Sequence, residues 1–173
     1  MTVNDRNELP WLAEAIKYIG QREVKGGKNN PLILSWLQNL KAWWANDETP
    51  WCGVFVANAL KNTGRCIPTH WYRAIDYLNC GTSLTRPAYG CIVIFTREGG
   101  GHVGFVVGQD KKGNLMVLGG NQGDAVNIKP FSVSRVSGYR WPSDVHGKLL
   151  MPHPSRFSLP LVDSNESLSN NEQ

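Results

Sequence analysis

The 173-residue chain has no Cys-x-x-Cys pair, no apolar stretch long enough to cross a bilayer and no run of Lys and Arg. Each absence removes a class of protein. The four cysteines at 52, 66, 80 and 91 and the four histidines at 70, 102, 146 and 153 fit no paired-ligand zinc spacing, so neither a metal nor another cofactor is expected. A membrane helix needs about 20 consecutive apolar residues, so no membrane span is expected either. With 18 Lys and Arg against 14 Asp and Glu, the net charge is only +4. That balance carries no nucleic-acid footprint, although a pI near 8.9 gives mild attraction to an anionic polymer. Met1 to Glu8 is polar and the apolar residues after it have helical spacing, so no secretory signal is expected at this end. The sequence has no internal repeat.

What is present suits one compact domain: 41% hydrophobic residues and seven tryptophans suffice for a single core. Pro10 to Ile19 puts Trp11, Leu12, Ala15, Ile16 and Ile19 on one helical face, and Asn30-Pro31 caps a second helix carrying Ile33, Leu34, Leu37 and Leu40. A further helix is expected from about Thr69 to Leu78. Ile92 to Phe95, Val103 to Val107, Leu115 to Leu118, Val126 to Ile128 and Gly138 to Trp141 then read as strands between glycine or proline turns. Helices first and strands second imply an α+β fold with an antiparallel sheet. Residues 1–9 read as an extension and 10–142 as the single folded domain. Residues 143–173 read as a polar, largely flexible tail, mobile over its last ten residues, with a docking peptide built on Phe157, Leu159, Leu161 and Val162 as the alternative.

Thr49-Pro50-Trp51-Cys52 opens an apolar helical run, with Thr49 as N-cap and Pro50 at the first helical position. Cys52 then falls in the first turn, where unpaired N–H groups and the helix dipole favour thiolate over thiol. Gly99-Gly100-Gly101-His102 leads into a strand whose first residue would project from the sheet rim as a base. A third polar group must orient the imidazole. Asn121, after the next strand and two glycines, is the choice, with Gln122 and Asp124 as alternatives. Cys66 and Cys80 flank the Thr69 to Leu78 segment and would either pair in an oxidising compartment or stay as free thiols.

The segments TPWCGVFVANAL, PAYGCIVIF, GGGHVGFVVG, LGGNQGDAV and SGYRWP, in this order, together with the earlier Gly20…Glu23…Asn30-Pro31 pattern, resemble the CHAP domains, cysteine- and histidine-dependent amidohydrolases and peptidases of bacteria and phages. The resemblance runs from about Pro10 to Pro142. It implies a papain-like fold with N-terminal helices packed on an antiparallel sheet, and hydrolysis of amide bonds in peptidoglycan, with Cys52 as nucleophile and His102 as base. Relatives often carry an acid where this chain has Gly119, and an aspartate where it has Cys91. Trp51, Trp71 and Tyr72 are candidates for stacking on glycan or stem peptide; Glu23, Asp47 and Glu48 are candidates for meeting an amine of the stem, and Gln122 and Asp124 for lining the site. The expected setting is the periplasm or cell wall, reached by an antibacterial effector through a type VI-like secretion machine, or by a phage endolysin through holin lesions. The expected partners are peptidoglycan and, for a toxin, a periplasmic immunity protein; the expected state is a monomer. A papain-like protease or deamidase, or a non-catalytic wall-binding module, are the other readings.

Overall fold

The computed structural model describes residues 8–163. Helix α1 spans Pro10–Ile16 with proline in its first turn and buries Trp11, Leu12 and Ala15. It ends before Ile19, because the chain turns at Gly20, where φ is +96° and the N–H bonds to the Val126 carbonyl. Ile16 and Ile19 are therefore left exposed. Helix α2 spans Pro31–Asn39, and Asn30 caps it as the sequence indicates, its side-chain oxygen accepting from Leu32 N at 2.9 Å. Helix α3 spans Cys52–Asn62, and Cys52 through Leu60 are all buried, with Asn58 the one polar side chain among them. It packs against α1, α2 and the sheet. Each of its fully buried Val, Phe and Leu side chains contributes roughly 1.5–3 kcal/mol of apolar transfer.

The start of α3 differs from the sequence expectation. The cap position is Trp51 and the helix begins at Cys52, while Thr49 turns back to Asn46, whose Oδ1 accepts from both its N–H and its hydroxyl at 2.9 Å. The helix expected over Thr69 to Leu78 is instead a 3-10 segment at Ala74–Asn79. Its Tyr77 hydroxyl donates to the carbonyls of Gly53 and Trp71, tying this segment to the start of α3.

Six strands form one antiparallel sheet: β1 (Thr82–Leu84), β2 (Ile92–Arg97), β3 (Gly100–Gln109), β4 (Leu115–Gly119), β5 (Asn127–Phe131) and β6 (Val136–Trp141), in the order β1-β6-β2-β3-β4-β5. The molecule is thus α+β. Strand β1 has no counterpart in the sequence reading. Strand β3 starts at Gly100, so His102 lies inside the strand, opposite Phe95 of β2, and is buried instead of projecting from a rim.

The segment after Pro142 is laid against the domain over its described part. Gln109 pairs with Leu161 in a parallel bridge, Val162 N donates to Gln109 O, and the Arg86 guanidinium lies over the Phe157 ring. Phe157, Leu159 and Val162 pack on this chain's own core, and only Leu161 is largely exposed. Over the described residues this segment is thus packed on the domain where a largely flexible tail, or alternatively a docking peptide, is expected from the sequence. Residues 164–173, for which mobility was expected, lie outside the described residues. Among the described residues no helix is long and apolar enough to cross a membrane.

Candidate active site

Two elements meet at Cys52. Helix α3 sets the residue at its N-terminus, and Gly53 lets the 71–72 loop close over that end, since a Cβ on Gly53 would lie 2.5 Å from the Trp71 carbonyl oxygen. Strand β3 supplies the other wall. The last β3–β4 pair on this side is Phe105 with Leu118. Beyond it the Val103 N–H is turned to the Cys52 sulfur instead of to a strand. The thiol is thereby held beside the residue that follows His102.

Burial pushes the Cys52 thiol above its ordinary value, against the N–H groups of Val103, Gly53 and Cys52 itself and the charge of Arg97. The helix end by itself favours thiolate, as the sequence leads one to expect. Desolvation outweighs it and shifts Cys52 toward the thiol. Cys80 is pushed to about 11 and Cys91 to about 12, also by burial. All four cysteines are free; Cys80 directs its thiol at the Cys66 carbonyl, 3.7 Å away.

His102 is 1% exposed and its ring lies parallel to Phe131, with centroids 5.4 Å apart and planes 5° apart. Its Nε2 meets Gln122 Oε1 at 2.9 Å. The amide cannot be turned round. Gln122 Nε2 already donates to Val117 O at 3.2 Å, Asn127 O at 3.0 Å and Asn127 Oδ1 at 2.9 Å, so the oxygen must face the ring. An amide oxygen only accepts, so His102 Nε2 carries the proton and Nδ1 is the basic nitrogen of the neutral ring. Gly119 makes this reach feasible: a Cβ there would collide with Gln122 Oε1 and stand 3.2 Å from His102 Nε2.

The orienting contact therefore belongs to Gln122 and not to Asn121. Asn121 adopts φ +57°, is buried, and its Oδ1 has no hydrogen-bond partner among the described residues. Gln122, the residue that follows the left-handed Asn121, is the one that meets the imidazole.

A cleft of about 500 Å³ opens over Cys52, walled by Pro50, Tyr72, Arg73, Ala74, Ile75, Arg97 and the glycines 99–101. Two arginines and no carboxylate line it, so it favours an anionic ligand. Neither arginine stood out in the sequence, where no periodicity marks them. Of the residues expected to touch substrate, Tyr72 lines this cleft. Trp51 and Trp71 do not present a stacking face: Trp51 is 1% exposed with Nε1 donating to Glu23, and Trp71 packs against Trp44 in the core. Asp47 is fully buried, its Oδ2 accepting from Val24 N and Asn30 N, so it braces the loop before α2 and is out of a ligand's reach. Burial raises the Glu23 carboxyl. Glu48 is exposed, and Asp124 sits 3.7 Å from Lys25 Nζ. None of these four acids lines the cleft. Among the described residues no three His, Cys, Asp or Glu side chains gather as a metal site would require.

Residues 39–121 match the family model of the CHAP domain, a stretch that holds Cys52 and His102 and stops one residue short of Gln122. Over this stretch the chain is similar to the CHAP domain, which is consistent with a CHAP-domain protein. CHAP domains are typically hydrolases acting on peptidoglycan. The antiparallel sheet with helices on one side agrees with the papain-like fold of that family. No curated protein and no solved structure matches the chain.

Proposed function

We propose that this protein cleaves an amide bond of the peptidoglycan stem by covalent catalysis. The carrying observation is the Cys52 thiol at the floor of a cationic cleft, against the strand whose His102 is oriented by Gln122. His102 Nδ1 takes the thiol proton as the sulfur attacks the amide carbonyl, and the N–H groups at the start of α3 hold the oxyanion. The ring then gives that proton to the departing amine, the C–N bond breaks, and a thioester remains. Water, deprotonated by the same nitrogen, releases the carboxylate and restores the thiol. A base is needed because the buried thiol does not ionise unaided near neutrality. Arg73 and Arg97 suit a stem peptide that carries free carboxylates.

The substrate fixes where the protein works. Delivery into a periplasm as an antibacterial effector goes with this reading, and the producing cell then needs an inhibitor of the cleft. Sacculi incubated with protein and analysed by mass spectrometry should release muropeptides bearing one new amine and one new carboxyl end. Cys52→Ala and His102→Ala should each lower the rate at least about 10³-fold with unchanged circular dichroism. Turnover by Cys52→Ala would remove the nucleophile from the scheme. Export to a Gram-negative periplasm should lyse cells that tolerate cytoplasmic expression; equal toxicity inside the cell would favour a protease or deamidase.

A further inference from the structure

Across Pro50 and Tyr72 from the Cys52 cleft lies a second hollow of about 290 Å³, walled by Trp43, Trp44, Thr49, Pro50 and Tyr72. Its chemistry differs from that of the cleft: three aromatic side chains, two hydroxyls and a proline, with no charged side chain. Trp43 is 74% exposed, more than any other large hydrophobic residue of the described chain. Tryptophan is usually largely buried, so core packing does not account for it. Nor is the ring loosely hung. It stands edge-on to Trp44 and to Tyr72, both at 4.7 Å between centroids, and Trp44 in turn stacks on the buried Trp71 at 5.6 Å. The result is an aromatic platform rooted in the core and open to solvent on one side.

Continuity with the cleft selects the occupant. Pro50 and Tyr72 line both hollows, so a ligand with its amide at Cys52 extends directly into the aromatic one. A free carboxylate gains nothing from a wall without charge, and an ammonium, though the ring faces would attract it, would not fill a hollow of about 290 Å³. A pyranose ring, with a C–H face for the indole and hydroxyls for Thr49 and Tyr72, suits both its size and its polarity. We propose that the Trp43–Trp44–Tyr72 groove is a glycan subsite that seats about one sugar ring of the wall strand while the attached peptide enters the arginine-lined cleft. The assignment rests on the wall-hydrolase reading. It places the cut bond toward the sugar-proximal end of the stem.

The test separates the two. Cys52→Ala protein is titrated with a peptide-free tetramer of N-acetylglucosamine, and separately with a free stem peptide, following tryptophan fluorescence and heat; active protein is assayed on sacculi in parallel. The tetramer should bind saturably and shift the fluorescence. Adding Trp43→Ala should weaken it at least ten-fold and leave the stem peptide unchanged, while Trp43→Phe restores most of the loss. On sacculi, Trp43→Ala in the active protein should raise KM with little change in kcat, and circular dichroism should not change, since the ring is exposed. Sacculus digestion without any tetramer binding would overturn the subsite, as would equal weakening of tetramer and stem peptide, which would mean that a peptide side chain fills the groove. Absence of sacculus digestion by the parent protein counts against the wall reading alone; tetramer binding that depends on Trp43 still supports a sugar site.

Discussion

Gln122 reaches His102 because residue 119 lacks a side chain and because Val117 O, Asn127 O and Asn127 Oδ1 take the hydrogens of its amide nitrogen. The same three acceptors exclude a carboxylate there. In Gln122→Glu an oxygen replaces the nitrogen that faces them, and each buried hydrogen bond so lost costs about 1–3 kcal/mol. The variant should turn over sacculi at least ten-fold more slowly and melt earlier; wild-type rates in Gln122→Glu would show that the contact does not orient the ring. Gly119→Ala should share the phenotype by displacing the amide. Chain order alone placed Cys52 at a helix start and His102 beside a glycine turn. The third residue was not legible, because Asn121 and Gln122 are neighbours of similar chemistry. Which one meets the imidazole is set by the path of the loop between β4 and β5, in which Asn121 adopts φ +57°.

Among the elements, the long periodic ones read well and the short pinned ones did not. The apolar spacing of α2 and the apolar runs of β2, β3 and β4 mark themselves, since each buries a face that the sequence must supply. Three-residue β1 carries no such pattern. It exists because Thr82, Ser83 and Leu84 pair with Trp141, Arg140 and Tyr139 at the sheet edge. The Ala74–Asn79 turn is 3-10 in place of α because the Tyr77 hydroxyl anchors it to Gly53 and Trp71. That anchor leaves no room at the start of α3. Gly53→Ala puts a methyl 2.5 Å from the Trp71 carbonyl, so either the helix end or the cleft wall must shift. Overpacking of this kind typically costs about 1–3 kcal/mol. Thermal melting should show that loss, and sacculus digestion should fall further than stability, because the displaced backbone carries both Cys52 and Tyr72.

For the molecule as a whole, buried thiols set the alkaline limit. Cys80 and Cys91 keep their protons to about 11 and about 12 in the folded state, against an ordinary value of 9.0. Above pH 9 the unfolded chain releases protons that the folded chain retains. The contribution is complete below that pH and is lost as pH rises through 11 and 12, at up to about 1.4 kcal/mol per pH unit for each thiol. Urea midpoints at pH 7.5 and pH 10 should differ accordingly, and by less in Cys91→Ala; an unchanged difference would mean that Cys91 titrates normally. A quieter consequence lies at the turn around Tyr89 and Gly90, at the end of β2 far from the cleft. Glu8 accepts from the Tyr89 hydroxyl and Leu9 covers Gly90, while the Arg156 carbonyl takes the Tyr89 N–H. The first described residues and the strap after residue 153 thus hold one turn between them. Among the described residues the path of the backbone thus returns to its start without a covalent bond, so a circular permutant that joins these stretches and opens the chain at another surface loop would keep the cleft on an unbroken scaffold.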